Sequence, residues 1–384
     1  MLGTNSCFHL SPITKNMYAI DKITNLFIKK SDVVGIEINP HKINITQVVK
    51  QGQQYKLVKN VSALIPEGIY QEGEIVDSLS LSELIKDTFK QNRISAKQVI
   101  TAVPMREAII RIIPVPAELD EEELKDMIMV HEAQMHLPYP REEVDLDYTK
   151  LGYFMDEDGI EKVNVLLVAT RREVTDLYRE IFEQAELKIK VLEINSFALI
   201  RTIKEQLRQF SSQEAVVLVD IEFDSTEIAI IVEGVPQFSR TVPIGTYQMQ
   251  EALSQGMGNS EIDGVAMLDN ISLILPLEDG DTEENSAMLE LSGLLKIVGE
   301  LSDELGRSIN FYLNQSEGLE VAQLILAGPG ASIGHIDEFF TQRLNLPAMP
   351  VDPISALSLE ANNVPPEERS GLGIALGLGM RDVA

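Results

Sequence analysis

The stretch VVLVDIEFDSTEIAIIVEG, residues 216–234, decides the fold. An apolar run ends in Asp220, a short polar turn follows, and a second apolar run leads out to Gly234, which is the pattern of two strands joined by a tight turn. The same pattern stands about 180 residues earlier, which makes it an internal repeat. In DVVGIEINPHKINITQVVKQG, residues 32–52, an apolar strand ends in Glu37, a turn follows at Asn39-Pro40-His41, and an alternating strand runs to Gly52. Asp220 takes the place of Glu37. A repeat at the scale of half a chain predicts two related lobes, each opening with a hairpin.

Composition agrees with a two-lobed globular protein. At 384 residues the chain exceeds what one hydrophobic core usually serves. Its 44% hydrophobic and 24% charged residues supply ample apolar surface and argue against wholesale disorder. Lys and Arg total 32 against 60 Asp and Glu, and the resulting net charge of −28 repels nucleic acid and anionic lipid alike. The single cysteine, Cys7, excludes an internal disulfide and a thiolate zinc site, which fits a reducing, cytoplasmic compartment. No run approaches the roughly 20 apolar residues of a membrane helix. Residues 1–30 read as a flexible leader. Lys22, Lys29 and Lys30 around Ile23, Leu26 and Phe27 leave a membrane-touching amphipathic helix as the alternative there.

Between the hairpins, SLSELIKDTFKQNRI predicts an amphipathic helix and QVITAVP a buried strand. From about residue 105 to 188, a strand, a helix opened by Asp120 with Glu123 three residues on, a hairpin across MDEDG and a further helix make a compact α/β unit. The expected organisation is therefore a leader at 1–30, a first lobe from 31–104 and 189–213, an inserted unit at 105–188 and a second lobe at 214–384. Residues 254–285, rich in Gly, Asp, Asn and Glu, read as a loose acidic insertion with one short ordered piece near VAMLDNISLILPL. The closing SGLGIALGLGM predicts a small-residue helix packed closely on a sheet.

Phosphate-binding folds built from paired hairpins place a nucleotide between two turns whose backbone amides face the phosphates. Here the turns are Glu37 to Lys42 and Asp220 to Thr226. Both depart from such a cradle: Pro40 removes an amide donor, and Glu222 brings bulk and negative charge to a place that favours glycine. Asp220, Thr226 and Lys42 still suit metal and phosphate contacts, and turns kept for the fold alone are the competing reading. LILAGPGASIG sets Gly328 and Gly330 after a strand, but Ile333 stands where a dinucleotide fingerprint needs its third glycine. A turn passing beneath an adenosine is the functional version, and backbone geometry the structural one. His131 and His136, five apart, sit about 140° apart around a helix and cannot share a zinc ion as an i, i+4 pair does. No catalytic elbow or Walker loop is present.

Taken together, GIEINPHKINITQV, TAVPMREAIIRIIPVP, HEAQMHLPYPREEVDLDY, VNVLLVATRREV, VLEINSFALIRT, VVLVDIEFDSTEIAI, FSRTVPIG, ELGRSINFY and ALGLGMR resemble the type IV pilus assembly protein PilM family, actin-like relatives of the division protein FtsA. The match runs from about Val33 to Arg381, and the wording around DIEF and ERSGLGIALGLGMR resembles cyanobacterial members most. The resemblance implies an α/β, two-lobed actin-like fold with a small α/β subdomain inserted in the first lobe. It implies ATP with Mg²⁺ in the interlobe cleft, and a groove that grips the N-terminal cytoplasmic peptide of the inner-membrane protein PilN. That peptide would link the membrane alignment complex to the pilus motor ATPases, in pilus biogenesis, twitching motility and DNA uptake, with self-association a further expectation. The family's nucleotide contacts fall on Lys42, Asp220 (also the metal position), Ser225, Thr226, Gly245, Gly328 and Gly330. Glu37, Asn39, Pro40, Glu222 and Pro329 stand where the family usually has Asp or Gly.

The expectation is a scaffold without enzymatic activity, with no direct nucleic-acid contact and peripheral to the inner membrane through its partner. An actin-like ATPase of the sugar-kinase type and an FtsA-like division protein are the alternatives. The latter would need the C-terminal amphipathic helix of FtsA-like proteins, whereas GMRDVA follows directly on a core helix.

Overall fold

A computed structural model describes residues 33–52, 54–256, 268, 271–273, 282–316, 318–359 and 364–383. The leader at 1–30 and most of the expected insertion lie outside the described residues. Along the chain run β1 (Val33–Ile38), β2 (Lys42–Gln51), β3 (Gln54–Leu64), β4 (Tyr70–Gln71), β5 (Glu74–Ile75) and β6 (Gln98–Val103). They continue with β7 (Ala108–Pro116), β8 (Val144–Met155), β9 (Glu161–Arg171) and β10 (Lys188–Ile194). The rest are β11 (Glu214–Ile221), β12 (Thr226–Val232), β13 (Val235–Val242), β14 (Glu320–Ala327) and β15 (Ala348–Pro350).

Two five-stranded sheets share one plan. Their orders are β3-β2-β1-β6-β10 and β13-β12-β11-β14-β15. In both, the first three strands form an antiparallel meander and the remaining strands add in parallel. The repeat thus extends beyond the predicted hairpins to a third strand, β3 or β13, and to the parallel strands. The central strand β11 is buried along nearly its whole length, as a strand covered on both faces must be, and its near-unbroken apolar sequence follows from that.

Boundaries between Glu107 and Ala108 and between Thr175 and Asp176 divide the chain into two compact units. The smaller is a three-stranded antiparallel sheet, β7-β9-β8, over a core that includes Ile113, Val115, Leu124, Ile128, Val144, Val165 and Leu167. Its helix begins at Glu121 under a complete capping box of Asp120 and Glu123. It does not stay regular: Met127–Glu132 widens to a π-helix before Ala133–His136, a local insertion that helical periodicity alone does not reveal. His136 meets Glu132 rather than His131.

In the larger unit the helix Gly373–Met380 packs on β1 and β2 and against the helix Asn195–Thr202. Its glycines are explained by close approach: a β-carbon on Gly377 would stand 1.9 Å from the Ala198 carbonyl oxygen. Thr46 Oγ1 donates to the Ala375 carbonyl at 2.6 Å. At its end Arg381 and Arg201 both bind Glu193, Arg201 through two contacts of 2.8 Å, so this buried carboxylate is fully compensated. One apolar cluster joins Ile100 and Leu199 of the first lobe to Val216, Leu218 and Ile325 of the second through Ile374 and Leu378. The other face of the second sheet is covered by the helix Thr282–Leu313, with Leu294, Val298, Leu301 and Leu305 in the core. That helix and Thr246–Gly256 carry regular structure into both ends of the segment expected to be loose at 254–285. Leu268 and Leu273, from its expected ordered piece, are buried in the same core.

Gly377→Ala therefore places a methyl group inside a backbone oxygen and is expected to cost about 3 kcal/mol by urea denaturation. Gly299→Ala, mid-helix with only ordinary contacts at 3.5 Å or more, is expected to raise stability by a few tenths to about 1 kcal/mol in the same measurement.

Candidate functional site

The candidate site grows out of hairpin register. In the first hairpin Glu37 pairs with Asn44 and Ile38 with Ile43. In the second Asp220 pairs with Glu227 and Ile221 with Thr226. The turns have equal length, and the same backbone bond closes each: Asn39 N–H to the Lys42 carbonyl at 3.1 Å, and Glu222 N–H to the Ser225 carbonyl at 2.9 Å. Asn39 and Glu222 are therefore equivalent positions of the repeat. They meet across the gap, where Asn39 Nδ2 donates to Glu222 Oε2 at 3.3 Å.

Asn39 also occupies the donors that a phosphate would need. Its Oδ1 accepts from the His41 amide at 3.0 Å and the Lys42 amide at 2.8 Å, while Pro40 just before them has none. Beside this, the His41 imidazole stacks on the Phe223 ring with centroids 4.8 Å apart and planes 15° apart, and Tyr247 packs on Phe223 at 5.6 Å. Arg106, just past β6, binds Asp224 at 2.9 Å and the Gly73 carbonyl at 2.5 Å. The Met105 amide donates to Glu227 Oε1 at 2.7 Å. The side-chain hydrogen bond and the ring stack thus fasten the two turns together, while the ion pair and the backbone contact tie the segment after β6 to the second hairpin. A cavity of about 870 Å³ opens at their tips, with Pro40, His41, Tyr70, Arg106, Phe223 and Tyr247 in its lining.

Beneath the clasp lie four carboxyl groups: Glu37, Asp220, Glu222 and Glu227 are 1%, 3%, 8% and 5% exposed. Burial pushes all four up from the ordinary carboxylate range. Asp220 rises far, through burial and then the charges of Glu227 and Glu37, and neither of its carboxylate oxygens has a partner. Glu222 also rises far, through burial and then Asp220 and Glu37, with Lys42 opposing. Glu37 rises less, because Asn44, Lys42 and Asn39 favour its anion. Glu227 is pushed up to about 7 by burial, against the pull of the Met105 amide.

The sequence-predicted residues divide into groups. Lys42, Asp220 and Glu222 gather in the gap as expected of the two turns. Ser225 bonds its neighbour Asp224 at 3.1 Å, and Thr226 Oγ1 donates to the Ile244 carbonyl at 2.6 Å, so both hydroxyls serve the turn itself. The glycines are set by packing. A β-carbon on Gly245 would lie 2.6 Å from the Glu222 carbonyl oxygen, one on Gly328 2.5 Å from the Ile221 carbonyl oxygen, and one on Gly330 2.3 Å from Ile221 Cγ2. Pro329 begins the short 3₁₀ turn Pro329–Ser332 behind that contact. Glu227, Arg106 and the aromatic role of Phe223 and His41 escaped the sequence reading. Glu227 was within reach, since counting outward from the turn pairs it with Asp220.

In this arrangement the His41 and Lys42 amides are taken by Asn39, and the His41–Phe223 stack stands beside them. Among the described residues no group of three His, Cys, Asp or Glu is arranged to hold a metal ion, although the unpartnered Asp220 oxygens suit one. Glu222→Gly removes both the side-chain bulk and the cross-gap bond, and is expected to tighten binding of a fluorescent ATP analogue by roughly tenfold in a titration, about 1.4 kcal/mol.

Comparison with known proteins gives one family and several related folds. The family described as type IV pilus assembly protein PilM matches residues 35–383. Among solved structures, a PilM-PilN type IV pilus biogenesis complex superposes with a TM-score of 0.74 at 23% identity, over 92% of this chain and 99% of that one. Ethanolamine utilization protein EutJ from Carboxydothermus hydrogenoformans matches with a TM-score of 0.51 at 11% identity, over 90% of this chain and 88% of its own. MreB5 of Spiroplasma citri bound to ADP matches with a TM-score of 0.51 at 13% identity, over 90% and 94%. The fold is the actin-like one.

Proposed function

The chain belongs to the type IV pilus assembly protein PilM family, and from that premise we propose that it is a non-catalytic scaffold that grips the N-terminal cytoplasmic peptide of PilN. The observation that carries this reading is the likeness to the PilM-PilN complex, which covers 92% of this chain and 99% of its counterpart. The role in pilus assembly follows from the family. The link from PilN to the pilus motors, and through them to twitching motility and DNA uptake, is the further step of this reading, as is self-association. The protein would then sit in the cytoplasm against the inner membrane through PilN. Among the described residues no helix is long and apolar enough to cross a membrane, in keeping with such an arrangement.

One feature favours a scaffold over an enzyme: the turns are joined to each other by their own side chains, Asn39 to Glu222 and His41 to Phe223. ATP with Mg²⁺ is a second reading, favoured by the nucleotide on an actin-like neighbour and by the unpartnered oxygens of Asp220. It applies to an opened cleft, in which Asn39 and Phe223 have released their partners. When bound, the metal would balance the carboxyl groups at Asp220.

Fluorescence anisotropy with a labelled peptide from the PilN N-terminus tests the scaffold reading. Saturable binding to the purified protein in nucleotide-free buffer is the expected result, with no phosphate release from added ATP above the buffer blank. Failure to bind, or sustained phosphate release, overturns it.

A further inference from the structure

We propose that the leader, residues 1–30, folds back in cis onto the free end of the β8–β9 hairpin of the smaller unit and covers it as a basic, apolar strap. The leader lies outside the described residues; the surface it would cover, and the leader's own charge pattern, point to the pairing. Nucleotide and partner peptide play no part in it.

β8 is an edge strand of the sheet β7-β9-β8, so one side of its backbone has no neighbouring strand. Its first half is held by the core: Val144 is buried, and Leu146 and Tyr148 pack against the same cluster. From Lys150 to Met155 every residue is exposed. Apolar side chains nevertheless occupy both faces there. Lys150 pairs with Val165 and Gly152 with Asn164, so Leu151 is an extra residue in the strand. Beyond it Tyr153 stands opposite Val163 and Met155 opposite Glu161, on the face of the buried Val163, while Phe154, opposite Lys162, takes the other face. Tyr153 and Met155 are each 62% exposed, and Leu151, Phe154 and, across the turn, Ile160 are exposed too. A ribbon with an open edge, five exposed apolar side chains and no charge from Leu151 to Met155 pairs with other chains unless something lies over it.

Charge selects the cover. In the turn Asp156-Glu157-Asp158-Gly159, Asp156 is engaged by the Asp158 and Ile160 amides and by Lys162, while Glu157, Asp158 and Glu161 are exposed. The chain leaves β7 at the same end, where the Ala117 amide donates to the Glu161 carbonyl at 3.2 Å, and the exposed Glu118, Glu121 and Glu122 follow directly. A second copy of the hairpin would set acid against acid, which disfavours pairing with itself. The cover is therefore basic as well as apolar. Among the longer segments outside the described residues, 257–267 and 274–281 carry acidic charges alone, whereas the leader holds Lys15, Lys22, Lys29 and Lys30 against Asp21. Its Ile13, Met17, Ile20, Ile23 and Phe27 recur at intervals of three and four, the spacing of one apolar helix face. Reach is sufficient: a leader of this length extends up to roughly 100 Å, against a radius of gyration of roughly 21 Å for a compact chain of this size. Tethering also supplies an effective concentration of about millimolar, so even weak pairing is populated. Any other basic, apolar chain that uses this hairpin must then displace the leader first.

The single thiol, Cys7, lies in the leader and takes a nitroxide spin label without substitution. Methyl resonances of isotope-labelled methionine then report proximity, with Met155 on the hairpin as the probe and the exposed Met349 on β15 as the control. Relative to the reduced label, Met155 is expected to lose about half its intensity or more, as an effective concentration above the dissociation constant dictates, and Met349 to keep its own. Met155→Leu identifies the signal. Lys15→Glu, Lys22→Glu, Lys29→Glu and Lys30→Glu together should return Met155 to full intensity. A mixture of spin-labelled protein at natural isotope abundance with methionine-labelled Cys7→Ser protein should leave Met155 unchanged, because the pairing lies within one chain. An unaffected Met155 in the parent protein, equal losses at Met155 and Met349, a loss that survives the lysine substitutions, or a loss in the mixture each overturns the proposal. Should the lysine variant fail to fold, as circular dichroism melts would show, the parent protein and the mixture decide alone.

Discussion

Everything around the cleft depends on one contact between equivalent residues, Asn39 and Glu222, each the first residue of its hairpin turn. Two copies of one sheet plan bring their turns face to face, and a symmetric origin would leave like facing like. In the present sequence the copies have diverged so that an amide donor meets a carboxylate acceptor. The same Asn39 side chain turns its oxygen inward onto two amides, so one residue both completes its own turn and reaches the opposite one. Glu222, out of place in a phosphate cradle, is in place in a clasp.

That substitution of roles explains several neighbours. Pro40 fits this arrangement because Asn39 Oδ1 draws on the His41 and Lys42 amides and not on the one that Pro40 lacks. Phe223 and His41 bring ring surface from the two turns into contact. Glycines 245, 328 and 330 remain because backbone and side-chain atoms stand where a β-carbon would go, a requirement that persists with or without nucleotide. Buried acids are the cost of the arrangement, since four carboxyl groups are withdrawn from water with Lys42 and Arg106 as the cations acting on them among the described residues.

Much of the fold was legible because it is written twice. The two hairpins, their closing acids, the buried strand at 98–103, the capped helix at Asp120 and the hairpin across MDEDG follow from local periodicity and turn chemistry. What escaped was non-local or irregular. β3 and β13 are the edge strands of their sheets, β3 alternating between exposed and half-buried and β13 less regular, and each adds to the open side of its hairpin. The π-helix at Met127–Glu132 inserts into a sequence that still reads as a continuous helix. At the site, sequence reasoning brought Lys42, Asp220 and Glu222 together through the repeat, but gave the glycines a ligand role that packing accounts for. Arg106 and Glu227 lie 118 and 7 residues from Asp224 and Asp220 respectively. Spacing can suggest the second of these pairs through strand register, while the first exists only once the lobes are assembled.

The central claim is that the lobes are joined through side chains of the two turns, and a double-mutant cycle at Asn39 and Glu222 tests it most directly. Urea unfolding of Asn39→Ala, Glu222→Ala and the double variant separates the pairwise energy from effects that each residue has on its own turn. A coupling of about 0.5–3 kcal/mol is the result this account predicts. Additive losses, with no coupling beyond experimental error, would contradict it.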